Sequence, residues 1–346
     1  MNDTSSIPGI DVERVTAWFT EHVPGVVPPL SFELIAGGRS NLTFRVIDAA
    51  DGQWVLRRPP RGNVLATAHD MGREHRIISA LAATHVPVAP TIGLCTDDAV
   101  NGAPFYVMDY VDGLVLRDAP AAEAVSPEVR RRAGLSLAAT LARVHAVDPD
   151  AVGLGELGRK EGYIARQLKR WNGQFEQSLT REVPVVSEAH RRLLDNIPTQ
   201  GDPAIVHGDY RLDNCMIDPQ GEVIAVLDWE ICTLGDPIAD LGLLMVYWTE
   251  PNDQYSALPG AATTLEGFPT RAELVAAYEA AGGRSVGDLD YYVAFGYWKL
   301  ACILEGVYAR YQAGAMGDDG ADADAFGDVV FLLGQASLDS LAKIGS

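Results

Sequence analysis

Two kinds of hydrophobic pattern follow one another along the chain. Apolar residues in "DVERVTAWFTEHV" recur at intervals of three and four up to Pro24, which predicts a first helix. From residue 25 to residue 111, short apolar runs separated by turn residues predict five strands, with one helix in "AHDMGREHRIISALAAT". We therefore expect a β-rich N-terminal region with one main helix.

The pattern changes after Gly113, where long helical periods begin and only one short β stretch, near 215–228, interrupts them. The predicted helices span residues 127–146, 160–178, 185–196, 237–248, 270–281, 288–313 and 324–343. The sequence thus predicts an α+β protein with an N-terminal lobe at 1–108, a hinge at 109–113 and a larger, mostly helical C-terminal lobe at 114–346.

Composition and charge narrow the class of protein. Apolar residues make up 47% of the 346 positions, which is enough for a sizeable core. The chain has 47 Asp and Glu against 27 Lys and Arg, and this charge disfavours binding to a phosphate backbone. We expect no nucleic-acid partner. The start of the chain has no signal-peptide pattern and the longest apolar run, "LGLLMVYW", is too short to span a membrane, so we expect a cytoplasmic protein without a membrane partner. Its oligomeric state stays open.

Acidic residues gather in "VHGDYRLDNCMIDPQGEVIAVLDWE" (206–230) between apolar runs. Within it, "DPQG" has the Pro and Gly positions of a turn, which predicts a hairpin. Because a hairpin returns its ends to one place, Asn214 and Asp228 should meet, with Asp209 on the loop that enters the hairpin. Carboxylate and amide oxygens suit Mg²⁺, which also takes water and phosphate oxygens. The predicted metal ligands are Asn214 and Asp228.

The spacing of "HGDYRLDN" (207–214) repeats the catalytic-loop pattern of kinases, in which Asp is the base and Asn binds Mg²⁺. Its Gly in the second position, and "DWE" (228–230) in place of Asp-Phe-Gly, are features of the aminoglycoside phosphotransferase and choline kinase superfamily. The sequence resembles that superfamily over essentially its whole length. The resemblance implies a two-lobed protein-kinase-like fold, ATP and Mg²⁺ as cofactors, and Asp209 as the catalytic residue.

Other polar residues near this loop have a structural interpretation. His207 and Asp213 are more typical of a buried pair and a turn cap than of catalytic groups. The resemblance implies that Asp240 begins a helix and accepts hydrogen bonds from the backbone of the catalytic loop.

The nucleotide phosphates require a further cation. Kinases use a Lys on the third strand, paired with a Glu on the next helix, but the first lysine of this chain is Lys160. In "WVLRR" (54–58), Arg57 falls at the position of that Lys, and Glu74 is the helix carboxylate. We expect Arg57 to bind phosphate oxygens bidentately. The alternative is an ion pair that only joins strand and helix. Arg58 should point to the opposite face, at the surface or toward the cofactor.

Two segments complete the predicted nucleotide site. "AGGRSNLTFRV" (36–46) connects the first two strands, and small residues there let backbone N–H groups approach phosphates, although a plain turn is the alternative. Its candidate residues are Gly37, Gly38, Ser40 and Asn41. The resemblance makes Met108 a lining residue of the adenine pocket, with the Asp109 carbonyl and the Val111 N–H pairing with the purine. A strand-core role for Met108 is the alternative.

The acceptor site should be built by the helical lobe. Tyr163, Gln167 and Trp171 are spaced to share one helix face, although core packing is the alternative for each. Arg211 and Glu230 are further candidate substrate contacts.

The segments 159–177, 245–251 and 291–311 resemble the phosphotransferases associated with acyl-CoA dehydrogenases more than antibiotic-modifying enzymes. The acceptor implied by that resemblance is the hydroxyl group of a hydroxyacyl-CoA. The alternatives are a kinase for aminoglycosides, amino alcohols or sugars, and a nucleotide-binding pseudokinase without turnover. The choice between ATP and GTP stays open.

Overall fold

The computed structural model describes residues 7–36, 41–60, 70–256, 260–314 and 323–344. Contacts within the chain divide it into two units. The smaller unit contains Met1–Gly113 and Ile224–Glu230, and the larger contains Leu114–Val223 and Ile231–Ser346. The chain therefore leaves the larger unit after Val223, contributes a short segment to the smaller one, and returns. The function of 109–113 as a hinge stays a prediction.

The smaller unit is built on an antiparallel sheet. Its strands are β1 (Ser31–Ala36), β2 (Leu42–Ile47), β3 (Gln53–Arg58), β4 (Thr91–Cys95) and β5 (Phe105–Asp109). They are ordered β1-β2-β3-β5-β4. On one face of the sheet, Phe44, Leu56 and Phe105 belong to a buried hydrophobic cluster that also includes Phe19, a residue outside the sheet. The segment from the distant part of the chain joins this unit where the Val226 N–H donates to the Pro87 carbonyl at 2.8 Å.

Helices of the smaller unit begin at side-chain caps. They are α1 (Val12–His22), α2 (Met71–Leu81) and α3 (Asp98–Asn101). The carboxylate of Asp11 caps α1, and that of Asp70 caps α2 by accepting the Arg73 N–H at 2.9 Å. In α2, Ile77, Ile78 and Leu81 are buried. The predicted N-terminal sheet with one main helix is confirmed, while the four-residue α3 was too short to show a period.

The larger unit is mostly helical, as predicted. Its helices are α4 (Ala119–Glu123), α5 (Pro127–Ala146), α6 (Tyr163–Ser178), α7 (Pro184–Asp195), α8 (Ile238–Tyr247), α9 (Arg271–Ala280), α10 (Leu289–Gln312) and α11 (Ala323–Leu341). The seven predicted helices are present, each within one turn of its predicted bounds. Apart from Asp240, helix α8 is apolar; it is almost entirely buried and packs against α10. In the described part of the chain, no helix combines the length and hydropathy needed to cross a bilayer.

Short strands complete the structure. They are β6 (Ala204–Val206), β7 (Cys215–Ile217), β8 (Val223–Val226) and β9 (Thr233–Gly235). Strands β7 and β8 form the predicted hairpin, whose turn is closed by the Gly221 N–H donating to the Asp218 carbonyl at 3.0 Å. The expectation of a single β stretch was wrong, because β6 and β9 pair as a separate antiparallel sheet. Strands β6 and β9 have three residues each, which is too short for an alternation of apolar and polar residues to be recognised in the sequence.

Arg58 departs from its prediction. Its side chain points away from Arg57 along the alternation of β3, as expected, but only 6% of Arg58 is exposed. The guanidinium donates to the backbone carbonyls of Gly9 and Asn101, the latter at 3.1 Å. The predicted surface position was therefore wrong, because distant backbone covers this face of the strand.

Candidate active site

The loop between β6 and the short 3₁₀ turn Leu212–Asn214 has an anchored backbone. The N–H groups of His207 and Gly208 donate to the Asp240 carboxylate at 2.6 and 2.8 Å. Gly208 has a φ of +89°, and a Cβ there would lie 3.0 Å from Ile231 Cδ1, so glycine suits both the conformation and the space. Asp240 lies in the first turn of α8. Its predicted contact with the loop backbone is confirmed.

Asp209 and Asn214 are in direct contact. The Asn214 amide nitrogen donates to the Asp209 carbonyl at 2.8 Å and to its carboxylate at 3.1 Å. The amide nitrogen is thus used within the loop, and the amide oxygen of Asn214 is of the kind that Mg²⁺ prefers as a ligand. The structure therefore brings the predicted base and one predicted metal ligand together.

His207 has the surroundings expected of a structural residue. It is fully buried, and its Nδ1 accepts the Asp209 N–H at 3.3 Å. These contacts agree with the interpretation of His207 as part of the loop's framework.

A cation lies next to Asp209. Arg211 Nη2 is 2.9 Å from the Asp213 carboxylate, and Arg211 Nε is 3.9 Å from that of Asp209. The Arg211 guanidinium also lies over the Tyr247 ring, 4.9 Å from its centroid. Burial raises the pKa of Asp213, and Arg211 opposes that rise. Burial, followed by the Asp209 carboxylate, raises the pKa of Tyr247. Arg211, a candidate substrate contact, thus also organises the acids around it.

A cavity of about 200 Å³ lies beside this group. Its lining includes Arg117, Arg211, Asp213 and Tyr247. Arg117 was not predicted, because it lies in a segment with neither a motif nor a clear period. A larger cavity of about 470 Å³ in the same unit is lined by residues such as Arg271, and no predicted site residue lines it. Of these two cavities, the smaller is the one lined by residues of the catalytic loop.

In the smaller unit, Arg57 contacts two carboxylates. Its guanidinium is 3.1 Å from Glu74 and 2.6 Å from Asp228. Burial works to lower the pKa of Arg57, but Glu74 and the further acids Asp228 and Glu230 outweigh it, so the pKa is raised. Burial raises the pKa of Glu74 to about 7 although Arg57 opposes the rise. The predicted Arg57–Glu74 pair is present, and its nucleotide role stays a prediction.

Asp228 has an unusual backbone. Its φ of +62° lies in the left-handed region, which residues other than glycine adopt infrequently. Such conformations concentrate at functional sites, where surrounding contacts maintain them. The contact with Arg57 is one such interaction, and the Asp228 side chain keeps 31% of its surface exposed.

Asn41 and Glu230 contact each other. The Asn41 amide donates to the Glu230 carboxylate at 3.2 Å, and Arg73 donates to the Glu230 carbonyl at 3.3 Å. Asn41, a candidate nucleotide contact, and Glu230, a candidate acceptor contact, therefore belong to the same cluster of polar side chains. The predicted residues Gly37, Gly38 and Ser40 lie outside the described residues.

The predicted metal ligands differ from those of a metal site that is built entirely from protein side chains. Among the described residues, no group of three His, Cys, Asp or Glu side chains gathers in a way that could hold a metal ion. The predicted set instead combines the Asn214 amide with the Asp228 carboxylate. Such a sparse set fits Mg²⁺, which commonly binds through one or two carboxylates plus water and substrate phosphates.

The predicted adenine contacts lie at the end of the sheet. In β5, Met108 is half-buried and Asp109 is exposed, and the Asp109 N–H donates to the Pro90 carbonyl at 2.9 Å. Val111 follows as a half-buried residue. Their pairing with a purine stays a prediction.

The three candidates on α6 have different surroundings. The Trp171 indole N–H donates to the Gln167 side chain at 3.0 Å, and the Lys299 ammonium lies 5.6 Å from the centre of the indole ring. Tyr163 is only 4% exposed, and a Cβ on Gly235 would lie 2.1 Å from its ring. Core packing, the alternative interpretation, therefore describes Tyr163.

A five-stranded antiparallel sheet, a larger helical unit and this catalytic loop define a protein-kinase-like fold. Residues 31–292 match the model of the phosphotransferase enzyme family, and the chain belongs to that family.

Known proteins support this assignment. The chain is 35% identical to acyl-CoA dehydrogenase family member 10 of Mus musculus, over 99% of this chain but 32% of that protein. It thus spans about a third of that relative. A crystal structure of a candidate aminoglycoside phosphotransferase from Ralstonia eutropha is 34% identical, with a TM-score of 0.79, over 96% of this chain and 98% of that one. Choline kinase from Cryptosporidium parvum has the same fold at 11% identity, with a TM-score of 0.68 over 97% of each chain. The resemblance predicted from sequence is confirmed.

Proposed function

We propose that this protein is an ATP- and Mg²⁺-dependent phosphotransferase whose acceptor is a hydroxyl group of a small molecule. The observation that carries the proposal is the contact between Asp209 and Asn214, on a loop whose backbone is anchored by Asp240. Membership of the phosphotransferase enzyme family supports the reaction class.

In the proposed reaction, Asp209 orients the acceptor hydroxyl and takes its proton late in the transfer. The acceptor oxygen forms a bond to the γ-phosphorus, the bond from that phosphorus to the bridging oxygen breaks, and ADP leaves. Asn214 and Asp228 would hold Mg²⁺, which offsets the negative charge of the phosphates when bound. The residues of the chain contribute mainly positioning and electrostatic stabilisation.

The nucleotide would be held by the smaller unit. Arg57 would bind phosphate oxygens, and Glu74 would fix its orientation, which the observed ion pair supports. The backbone of Asp109 and Val111 would pair with the purine, with Met108 against it. Asn41 would contribute from the connection between β1 and β2.

For the acceptor, we propose a hydroxyacyl-CoA. The mouse relative is a member of the acyl-CoA dehydrogenase family, which motivates this choice. The cavity near the catalytic loop is lined by Arg117 and Arg211 together with Asp118 and Asp213. Coenzyme A carries phosphates, which the two arginines would bind. Arg211, Gln167, Trp171 and Glu230 are the residues that we propose contact the acceptor or border its site.

The test is a phosphorylation screen of hydroxyacyl-CoAs, aminoglycosides, choline and sugars with Mg²⁺ and ATP or GTP, read by the mass gain of the acceptor. We expect the hydroxyacyl-CoAs to gain a phosphoryl group. Gain by an aminoglycoside, amino alcohol or sugar alone would support the alternative acceptors.

A pseudokinase is the second candidate function. The absence of a lysine before Lys160 and the pairing of Arg57 with Asp228 are the observations that favour it. Nucleotide binding without mass gain on any acceptor, and without ATP consumption, would establish it over a transferase.

A further inference from the structure

A buried lysine contacts the catalytic loop from α10. Only 8% of Lys299 is exposed, and its ammonium group donates to the Gly208 carbonyl at 2.9 Å. The same nitrogen lies 5.6 Å from the centre of the Trp171 ring. Lys299 therefore interacts both with the residue before Asp209 and with a candidate acceptor residue.

The position of this charge calls for an explanation. Removing an ammonium group from water is strongly unfavourable unless other groups compensate the charge. In the described part of the chain, the Lys299 ammonium forms no direct ion pair with a carboxylate. Burial lowers its pKa, while Asp209 and Asp240 act in the opposite direction from a longer range. A neutral side chain would fill the same space at lower cost, so the charge itself is the feature to explain.

Two side chains of opposite charge bind the same backbone segment, one through its N–H groups and the other through a carbonyl. Asp240 on α8 accepts the N–H groups of His207 and Gly208, and Lys299 on α10 binds the Gly208 carbonyl. Because α8 and α10 pack against each other, both contacts come from one packed pair of helices. The peptide that precedes Asp209 is thereby fixed through its donors and its acceptor.

We propose that Lys299 is a positioning residue for Asp209, which holds the catalytic carboxylate at the acceptor through the Gly208 carbonyl. This inference rests on the proposed function, because it takes Asp209 as the group that receives the acceptor proton. Lys299 itself touches neither the nucleotide nor the reacting atoms. Its loss should affect the rate of transfer and leave nucleotide binding unchanged.

The first experiment is a kinetic comparison of Lys299→Met and Lys299→Arg, with Lys343→Met as the matched control at an exposed lysine. We expect Lys299→Met to lower kcat by roughly tenfold to a hundredfold, since a small displacement of a catalytic group has effects of that size. The KM for ATP should change by less than about threefold. Lys299→Arg, which keeps the charge and donors, should recover part of the rate. A Lys299→Met enzyme with wild-type kcat would overturn the proposal.

A second measurement does not require an active enzyme. Amide hydrogen exchange of the peptide that contains residues 207–214 should become at least about tenfold faster in Lys299→Met and stay unchanged in Lys343→Met. If the Met variant does not fold, Lys299→Gln takes its place in both experiments. A wild-type protein without transferase activity would remove the proposed function, and the exchange result would still decide whether Lys299 fixes the loop. Unchanged exchange in this peptide contradicts the positioning role.

Discussion

Arg57 binds Asp228 at 2.6 Å while the same guanidinium pairs with Glu74 at 3.1 Å. One side chain of β3 thus contacts both a helix carboxylate and a proposed metal ligand. The planar guanidinium has five donors in a fixed arrangement, so it can keep both partners and still offer a donor to phosphate. A lysine ammonium group lacks this planar arrangement of donors. Arginine at this position is therefore not equivalent to the lysine that kinases have there.

We expect Arg57→Ala to weaken ATP binding by at least about tenfold, because a charge-assisted bidentate contact contributes on the order of 1.5–3 kcal/mol. Arg57→Lys should fall between wild type and alanine. Isothermal titration with Mg²⁺ and ATP measures the affinity, and Arg14→Ala serves as a control at an exposed arginine. Unchanged affinity in Arg57→Ala would assign the residue a purely structural role.

Asp209→Asn should lower the rate of phosphoryl transfer by about 10²–10⁴-fold, the usual contribution of a general base. Nucleotide affinity should change little, since Asp209 is proposed to contact the acceptor rather than ATP. The control is Asp202→Asn, an exposed aspartate before β6. Both variants are compared by initial rates and by titration of ATP. A variant at Asp209 with the wild-type rate excludes it as the base.

The metal ligands can be tested separately from the base. Asn214→Ala and Asp228→Ala should each raise the half-saturating Mg²⁺ concentration by roughly tenfold or more, because each removes an oxygen ligand of a sparsely coordinated ion. The measurement is the transfer rate as a function of Mg²⁺ at saturating ATP. If the Mg²⁺ dependence of either variant matches that of wild type, that residue is not a ligand.

Glu74 predicts a pH dependence of stability. Its pKa rises from 4.5 to about 7 in the folded protein, so the folded state binds the proton more tightly than the unfolded state. The contribution of Glu74 to the free energy of unfolding is therefore complete below the unfolded value, falls as pH rises between the two values, and is constant above them. The loss is on the order of 3 kcal/mol at most.

Urea unfolding of wild type and Glu74→Gln from about pH 5 to about pH 8 measures this effect. The stability of wild type relative to the variant should decrease across this range, because glutamine keeps no titratable proton. A difference that is constant with pH, or that increases, contradicts the raised pKa of Glu74.

The catalytic loop was predictable because its contacts are local. Asp209 and Asn214 are separated by five positions, and the hydrogen bonds between them close within one short segment. The helices were predictable for a similar reason, since each carries several turns of an apolar period. The pairing of Arg57 with Glu74 followed from their positions on a strand and the next helix.

Long-range contacts explain the predictions that failed or were missing. Lys299 and Gly208 are 91 positions apart, and no local pattern links them. A charged residue within the apolar run "YYVAFGYWKLAC" was the signal available, because burial of a lone cation requires a partner. The prediction of a surface position for Arg58 failed for the same reason, because its partners Gly9 and Asn101 come from remote segments.

The smaller unit includes Ile224–Glu230, although the chain on both sides of this segment belongs to the larger unit. This limits how the protein can be divided into fragments. A recombinant fragment that stopped at Gly113 would include Arg57 and Glu74 but would lack Ile224–Glu230, and with it Asp228. Such a fragment would leave Arg57 without one of its acidic neighbours, and the segment between α2 and β4 without the hydrogen bond that Val226 donates to Pro87. Any truncation or domain-transplant strategy would need to supply that heptapeptide in trans or by circular permutation.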